Sequence, residues 1–405
     1  MVGSFDINKE EKSIKDLYIF GCGAHGQILY MMLSYHGYKI KGFLDNSTER
    51  IDTFVCGAKV ISPTDISDKA SNIIIGSVYI EAMIKQLEEL GLRNIFLPTD
   101  IFKHIRNNPM KIYGDRSTDD IEREISLYLL EIDRIESKGN QGNLNIKSLD
   151  LVVTERCTLK CQDCSNLMQY YKSPVNADID LMISSMIKLF EVGATIGELR
   201  IIGGEPFVNR DIDKLLRFLN ERQENHGKTI VYTNGTIIPS KSTTELLKNL
   251  NAFIDISNYG ELSRRYGELV SHLDKNNINH SAKELKWTDS GRILEKPHES
   301  LHYVEKLYAN CCTRDVFTLM HGMIFHCPFS ANLYQLSTSD KFQYEGIDLK
   351  GNTKDELLLT NLREFVNNTK YLMACYYCNG RDFSTPYIPV AQQTRKPIEV
   401  PDSVK

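Results

Sequence analysis

The stretch TERCTLKCQDC, residues 154–164, decides how the rest of this 405-residue chain is interpreted. It follows LDLVV at 149–153, an apolar run with the length of a buried strand. Its cysteines, Cys157, Cys161 and Cys164, follow a Cys-x3-Cys-x2-Cys spacing. Three thiolates on one short loop can hold three irons of a 4Fe-4S cube and leave the fourth iron open, whereas structural zinc normally takes four protein ligands. The loop therefore predicts an iron–sulfur site with one open position.

From residue 149 onward, short apolar runs alternate with amphipathic stretches of helix length. The runs lie at 149–153, 199–202, 229–232 and 253–256. This alternation is typical of a parallel α/β barrel, in which active sites lie at the carboxyl ends of the strands. We therefore predict the α/β fold class, with a partial (β/α)6-type barrel over residues 148–300.

The first 110 residues predict a Rossmann-like domain. A strand, a glycine turn, a helix and a second strand follow one another, with Gly21, Gly23 and Gly26 in a G-x-G-x-x-G pattern and Asp45 closing the second strand. An acidic residue there can bind a ribose hydroxyl, and the helix N-terminus suits a diphosphate. A nucleotide or nucleotide-sugar is the predicted ligand, and a docking or dimerisation module with an empty site is the alternative.

Three further segments complete the predicted organisation. Residues 111–147 form a connecting helix and linker, with apolar residues at helical spacing from Ile121 to Ile132. Residues 301–391 form a small α+β domain that holds five of the ten cysteines. The proline-containing tail at 392–405 is expected to be extended or disordered.

Composition excludes several classes of function. The net charge of −5 offers no basic excess for a nucleic acid backbone, so no nucleic acid partner is expected. The N-terminus lacks an apolar signal core, and no segment approaches the ~18 apolar residues of a spanning helix. We therefore expect a cytoplasmic protein without membrane contact, where a reducing environment directs cysteines to metal ligation, catalysis or burial.

The cysteine loop resembles that of the radical SAM superfamily. This resemblance implies that the open iron chelates S-adenosylmethionine (SAM) and that reduction yields a 5′-deoxyadenosyl radical. It extends to the ends of the next three predicted strands and implies a SAM-binding set. That set comprises Gly203, Gly204, Glu205 and Pro206 near the SAM amino group, Thr233 and Asn234 near the ribose, and Ser257, Arg264 and Arg265, of which one arginine pairs with the SAM carboxylate.

One position departs from the family pattern. Many members carry an aromatic residue just before the third cysteine, to pack on adenine, and here that residue is Asp163. The adenine contact stays unassigned, with Met168, Tyr170 and Tyr171 as nearby candidates.

The C-terminal cysteines resemble the Twitch type of shortened SPASM domain, which binds one auxiliary 4Fe-4S cluster. Cys312, Cys327, Cys375 and Cys378 are the implied ligands, and a zinc ribbon is the alternative for the same residues. Cys311 is then left over and is a candidate hydrogen-atom donor to a substrate radical, as cysteines are in similar epimerases.

The N-terminal segment resembles the N-terminal domains of nucleotide-sugar-modifying enzymes. Together the resemblances imply two 4Fe-4S clusters, a reducing partner such as flavodoxin or ferredoxin, and hydrogen abstraction from a carbohydrate, nucleotide-sugar or aminocyclitol-like substrate. Epimerisation or alcohol oxidation would follow. Maturation of a ribosomal peptide and a zinc-binding interaction protein are the alternatives.

Overall fold

The computed structural model describes residues 3–5, 16–107, 121, 124, 125, 128, 129, 132, 144–284, 286–290, 292–294, 296, 299–351, 353–381 and 386–405. Its contacts divide the chain into two compact units, Met1–Asn140 and Gln141–Lys405. Both units are mixed α/β and contain parallel sheets. In the described part of the chain, no helix has the length and apolar character needed to cross a membrane.

The first unit is built on a seven-stranded sheet with the order β1-β7-β6-β2-β3-β5-β4. Neighbouring strands are parallel except β4 and β5. The central strands β2 and β6 read LYIF and NIII, the continuous apolar runs expected of strands covered on both faces. The elements are β1 (Gly3–Ser4), β2 (Leu17–Phe20), α1 (Ala24–Tyr35), β3 (Ile40–Leu44), β4 (Phe54–Val55), β5 (Ala58–Ile61), β6 (Asn72–Ile75), α2 (Ile80–Glu89), β7 (Asn94–Leu97) and α3 (Thr99–Asn107).

The predicted connecting helix packs into the first unit. The described residues between 121 and 132 are helical, and Ile121, Ile125 and Leu129 belong to the same buried core as β2 and β6. The Tyr128 hydroxyl also donates a hydrogen bond to the Ile75 carbonyl oxygen at 2.9 Å. The structure therefore places this helix inside the N-terminal unit instead of in a separate connector, because its apolar face is buried there.

The second unit is built on an eight-stranded sheet with the order β12-β11-β10-β9-β8-β14-β15-β16. The six strands from β12 to β14 are parallel, and β15 and β16 add antiparallel pairs. The elements are β8 (Leu144–Val152), α4 (Ile179–Glu191), β9 (Ala194–Ile202), α5 (Ile212–Asn220), β10 (His226–Thr233), α6 (Lys241–Asn249), β11 (Phe253–Asn258), α7 (Tyr266–Lys275), β12 (His280–Glu284), β13 (Trp287–Thr288), α8 (Leu301–Asn310), β14 (Val316–Met320), β15 (Met323–Phe325), α9 (Pro328–Leu336), β16 (Gly346–Asp348), α10 (Asp355–Asn368) and β17 (Tyr387–Ile388).

The segment predicted as a separate C-terminal domain shares this sheet. Strand β14 lies parallel beside β8, with Phe317 opposite Leu149, and turns at Gly322 into β15. All five residues of β14 are buried, so the strand needs a partner on each side. The boundary predicted at residue 300 therefore does not separate two sheets.

The C-terminal tail is ordered against the second unit, unlike the extended or disordered segment that its composition predicts. Val404 is fully buried, and its carbonyl oxygen accepts a hydrogen bond from Ser337 Oγ at 2.6 Å. Ile398 and Val400 pack against the core formed around Tyr377 and Phe342. Burial of these apolar side chains offsets the entropy lost on fixing the tail.

Candidate metal centres

The cysteine loop at the carboxyl end of β8 forms one wall of a cavity. Cys157, Cys161 and Cys164 all line this cavity, together with Met168 and Tyr171. The loop is held to the chain that follows it by the hydrogen bonds from Thr154 Oγ1 to Asn176 Oδ1 at 2.7 Å and from Glu155 N to Val175 O at 2.9 Å. The structure therefore brings together the three cysteines that the sequence singles out.

Hydrogen-bond donors point at the sulfurs of this loop. Cys157 Sγ accepts from Leu159 N at 3.4 Å and from Asn234 Nδ2 at 3.6 Å, and Cys161 Sγ accepts from Gln393 Nε2 at 3.1 Å. Burial raises the pKa of Cys157 to about 12 and the pKa of Cys161 to about 11. A bound metal ion deprotonates such thiols, and the N–H donors then stabilise the thiolates. The donor set fits an iron–sulfur cluster.

Among the residues that the structure describes, no three histidine, cysteine, aspartate or glutamate side chains meet closely enough to hold one metal ion. A 4Fe-4S cube uses one thiolate at each ligated iron, so its cysteines do not have to converge on a single point.

Gly203 and Gly204 let the end of β9 approach the cysteine loop. A Cβ on Gly203 would lie 2.3 Å from the Thr154 carbonyl oxygen, and one on Gly204 would lie 2.2 Å from the Arg156 carbonyl oxygen. The backbone N–H groups of Gly204 and Glu205 donate to these same carbonyls at 2.9 Å each. Glycine is therefore required at both positions.

The resemblance predicts that Glu205 contacts the SAM amino group, but the Glu205 side chain does not line the cavity. It is fully buried, and its carboxylate accepts hydrogen bonds from Thr233 Oγ1, Asn234 N and Phe207 N. Burial raises the pKa of Glu205 to about 7. These contacts make the carboxylate a support for the end of β10. Pro206 follows in the same turn and is also buried.

Asn234 and the end of β11 lie next to the cysteines. Asn234 Nδ2 donates to Thr158 Oγ1 at 3.0 Å as well as to Cys157 Sγ. The Ser257 carbonyl oxygen accepts from Ser263 Oγ at 3.2 Å. Tyr259 interacts electrostatically with all three cysteines of the loop, and burial raises its pKa. Tyr259 was missed by the sequence analysis, although its position just after Ser257 at a strand end was a usable signal.

The structure does not bring Arg264 and Arg265 to the cysteine cavity. Both side chains are exposed, and Arg265 forms an ion pair with Glu268 at 2.8 Å on helix α7. Neither arginine lines the cavity that the three cysteines share. Asp163, the position that departs from the family pattern, pairs with Arg292.

The C-terminal cysteines meet at a second cavity, but their membership differs from the prediction. Cys311, Cys327, Cys375 and Cys378 line this cavity, and Cys312 does not. Cys311 also interacts electrostatically with Cys327 and Cys378. Hydrogen bonds from the Cys312 thiol and from Thr313 lower the pKa of Cys311, which favours its thiolate form. The structure thus exchanges the places that the sequence analysis gave to Cys311 and Cys312.

Cys312 is exposed, and its thiol is hydrogen-bonded to the Cys311 thiol although it does not line the cavity. Its N–H donates to the Arg381 carbonyl oxygen at 2.9 Å, and its thiol interacts electrostatically with Arg381 and with Arg200 on β9.

The second cavity is braced by a helix N-terminus and a buried carboxylate. Cys327 is the N-cap of α9, where its sulfur accepts from Ser330 N at 3.4 Å. Glu345 accepts from Ser330 Oγ at 2.9 Å and from Met373 N at 2.6 Å, which ties α9 to the segment that carries Cys375. A helix N-terminus favours a thiolate, so the four-thiol set fits an iron–sulfur cluster, whose ligands do not converge on one ion.

A buried ion pair occupies the sheet face opposite the main core of the second unit. Asp150 on β8 and Arg200 on β9 are paired residues in the register of the two strands, and the Arg200 Nε lies 2.6 Å from Asp150 Oδ1. Arg381 interacts electrostatically with Asp150, with Cys164 and with Cys312. The sequence analysis did not select these residues, although a charged residue inside an apolar strand was an available signal.

The glycine turn of the first unit has the geometry that its pattern predicts. A Cβ on Gly26 would lie 1.8 Å from the Gly21 carbonyl oxygen, and Gly21 has a φ of +101°. Nothing lies within 4 Å of the Cβ position of Gly23. Asp45, which is predicted to bind a ribose, accepts hydrogen bonds from Cys22 N and Cys22 Sγ of the glycine turn and from Ser47 N in its own turn. The Asp45 carboxylate therefore links the glycine turn to the turn that follows β3.

Comparison with known proteins assigns the segment that carries the first cysteine group. Residues 149–276 match a family model described as a 4Fe-4S single cluster domain. The chain is 34% identical over 99 residues to GTP 3′,8-cyclase of Staphylococcus saprophyticus, a match that covers 23% of this chain and 28% of the relative. The segment is therefore similar to a 4Fe-4S single cluster domain.

Other relatives align with a similar share of the chain. The PqqA peptide cyclase of Granulibacter bethesdensis is 30% identical over 98 residues, which are 24% of each protein. The chain thus spans less than a third of the length of these curated relatives. BtrN in complex with AdoMet and 2-DOIA is 17% identical, with 63% of this chain and 98% of that chain covered and a TM-score of 0.36.

Proposed function

We propose that this protein is a radical SAM enzyme that cleaves SAM reductively at the Cys157, Cys161 and Cys164 site. One observation carries the proposal. Within the segment matched as a 4Fe-4S domain, three thiols line one cavity and receive N–H donors from the chain around them. When bound, the cluster and SAM supply a 5′-deoxyadenosyl radical that abstracts a hydrogen atom.

The residues around this site have separate tasks in the proposal. The backbone at Gly204 and Glu205 holds the end of β9 against the cysteine loop, and the Glu205 carboxylate holds Thr233 and Asn234 in place. Met168 and Tyr171 line the cavity and supply the apolar surface for adenine, in place of the aromatic residue absent at position 163. The SAM carboxylate needs a cation, and we assign Arg381 to it in place of Arg264 and Arg265 because Arg381 interacts electrostatically with Cys164. The Arg381 side chain itself lines the second cavity and donates to Ser290 Oγ at 2.7 Å, so it would have to turn toward SAM.

A second 4Fe-4S cluster is proposed at the second cavity, with Cys311, Cys327, Cys375 and Cys378 as ligands. The shared cavity and the mutual electrostatic interactions of these thiols support this set over the one with Cys312. Cys312 then takes the role of the spare thiol. Its electrostatic interactions with Arg200 and Arg381, which also interact with Asp150, support this role.

The proposed substrate is a carbohydrate, nucleotide-sugar or aminocyclitol-like molecule. Asp150, Arg200 and Arg381 form a group of charged hydrogen-bonding side chains near the thiols, which suits a ligand rich in hydroxyl groups. The glycine turn of the first unit supports a nucleotide-sugar as a further ligand there.

Two outcomes follow from hydrogen abstraction at a substrate carbon. In epimerisation, the Cys312 thiol returns a hydrogen atom to the opposite face, and the resulting thiyl radical takes up one electron and one proton. In oxidation, the substrate radical would lose one electron and one proton and become a carbonyl compound, and a cluster held by the four thiols of the second cavity would supply the electron acceptor. A flavodoxin or ferredoxin supplies the electron that starts either cycle.

Peptide maturation is the second candidate, because the same segment is similar to a PqqA peptide cyclase. Both candidates need the first cluster, so the first test addresses SAM cleavage. Iron, sulfide and zinc are measured after anaerobic purification, and dithionite-driven 5′-deoxyadenosine formation is compared with that of a Cys157/Cys161/Cys164→Ala variant. We expect about eight irons, falling to about four with cleavage lost in the variant. Zinc without cleavage would overturn the proposal.

A further inference from the structure

The C-terminal tail completes the cavity of the first cysteine group. Thr394 and Pro397 line this cavity together with Cys157, Cys161 and Cys164. The tail pairs with the cysteine loop as a short antiparallel bridge in which Gln393 lies opposite Cys161. A segment more than two hundred residues away in sequence therefore forms part of the same wall.

The pairing is anchored by backbone hydrogen bonds on both sides of Cys161. Thr394 N donates to Lys160 O at 2.6 Å, and Gln162 N donates to Gln392 O at 2.8 Å. A further backbone bond from Ile398 N to Gln169 O, at 2.8 Å, holds the tail beyond the bridge. These three backbone hydrogen bonds fix the position of the tail relative to the cysteine loop, and none of them involves a side chain.

The side-chain amide of Gln393 makes three hydrogen bonds, one through its oxygen and two through its NH2 group. Its Oε1 accepts from Lys160 N at 2.7 Å, and its Nε2 donates to Ala391 O at 2.8 Å and to Cys161 Sγ at 3.1 Å. Because Lys160 N can only donate, the amide oxygen must face it, and the NH2 group must face the sulfur. The orientation of the amide is thus set by its neighbours.

We propose that Gln393 is a positioning residue of the SAM cluster that orients the Cys161 sulfur and raises the reduction potential of the cluster. This inference rests on the proposed cluster at Cys157, Cys161 and Cys164. Reduction adds negative charge to the cluster and its thiolates, and an N–H donor to sulfur stabilises the reduced form more than the oxidised form.

Redox titration followed by EPR tests the role of the amide. The signal that changes when SAM is added identifies the SAM cluster, and its midpoint potential is compared in wild type, Gln393→Leu and Gln393→Glu. Gln393→Glu keeps an oxygen for Lys160 N, so it preserves the anchor while removing the donor to sulfur. We expect both variants to show an equilibrium constant for one-electron reduction about tenfold lower, a shift of about 59 mV.

Gln392→Leu is the matched control. Its side chain contacts Gln162 Nε2 but not a cysteine, and its backbone bonds are unchanged by the substitution. We expect it to keep the wild-type potential. Wild-type potentials in both Gln393 variants, or an equal shift in Gln392→Leu, would overturn the inference. Absence of iron in the wild-type protein would instead refute the proposed function, which the iron assay detects separately.

Discussion

Replacing Cys311 and Cys312 one at a time separates a cluster ligand from a free thiol. Cys311 shares a cavity with three other cysteines, so Cys311→Ala removes one of four ligands and should lower the iron content from about eight to about four per chain. Cys312 is exposed and lies outside that cavity. Cys312→Ala should keep about eight irons and change the unfolding free energy by less than about 0.5 kcal/mol.

Two assays distinguish the Cys311→Ala and Cys312→Ala variants. Iron and sulfide per chain are measured after passage over a chelating column, and 5′-deoxyadenosine is measured beside solvent deuterium incorporated into the product. In the epimerase outcome, Cys312→Ala should still cleave SAM but form no deuterated product, because an exchangeable thiol delivers the hydrogen atom. Cys56→Ala, at an exposed cysteine of the first unit, is the control. Loss of half the iron in Cys312→Ala, with full iron in Cys311→Ala, would refute the exchange of roles.

Two further predictions concern the scaffold of the first site. Gly204→Ala adds a Cβ 2.2 Å from a carbonyl oxygen, so we expect a loss of about 2 to 3 kcal/mol in unfolding free energy and release of the iron bound by the cysteine loop, measured by denaturant titration and iron analysis. Gly267→Ala, whose Cβ meets nothing within 4 Å, is its control, and equal destabilisation of the two would contradict the prediction. Asp150→Asn leaves the Arg200 guanidinium without its carboxylate and should cost about 3 kcal/mol, whereas Lys214→Gln, which breaks an exposed ion pair, should cost less than about 1 kcal/mol in the same titration.

Local patterns were sufficient to predict the first cysteine site and the strands that carry it. The apolar run before Cys157 is the end of β8, and Gly203 follows β9 as its spacing predicts. Strand and turn signals depend on neighbouring residues, so they can be read without the rest of the chain. The glycine turn from Gly21 to Gly26 was predicted for the same reason.

Charged residues on buried strands were harder to place. Asp150 and Arg200 each lie in a run that reads as a strand, and alternation predicts which face each side chain takes. Their pairing depends on the register between β8 and β9, which links residues fifty positions apart. Similarly, the helix between 121 and 132 was predicted, but the core that it joins was not.

The sequence by itself determined three local features of this protein. They are three thiols at a strand end, a second group of cysteines, and glycines where two backbone segments are in contact. Spacing along the chain fixes these features because each of them is local. Only the tertiary structure decided which of Cys311 and Cys312 faces the second cavity, and only it brought Gln393 to Cys161. Both outcomes depend on the direction of one side chain in a folded backbone, and contacts between distant segments set that direction.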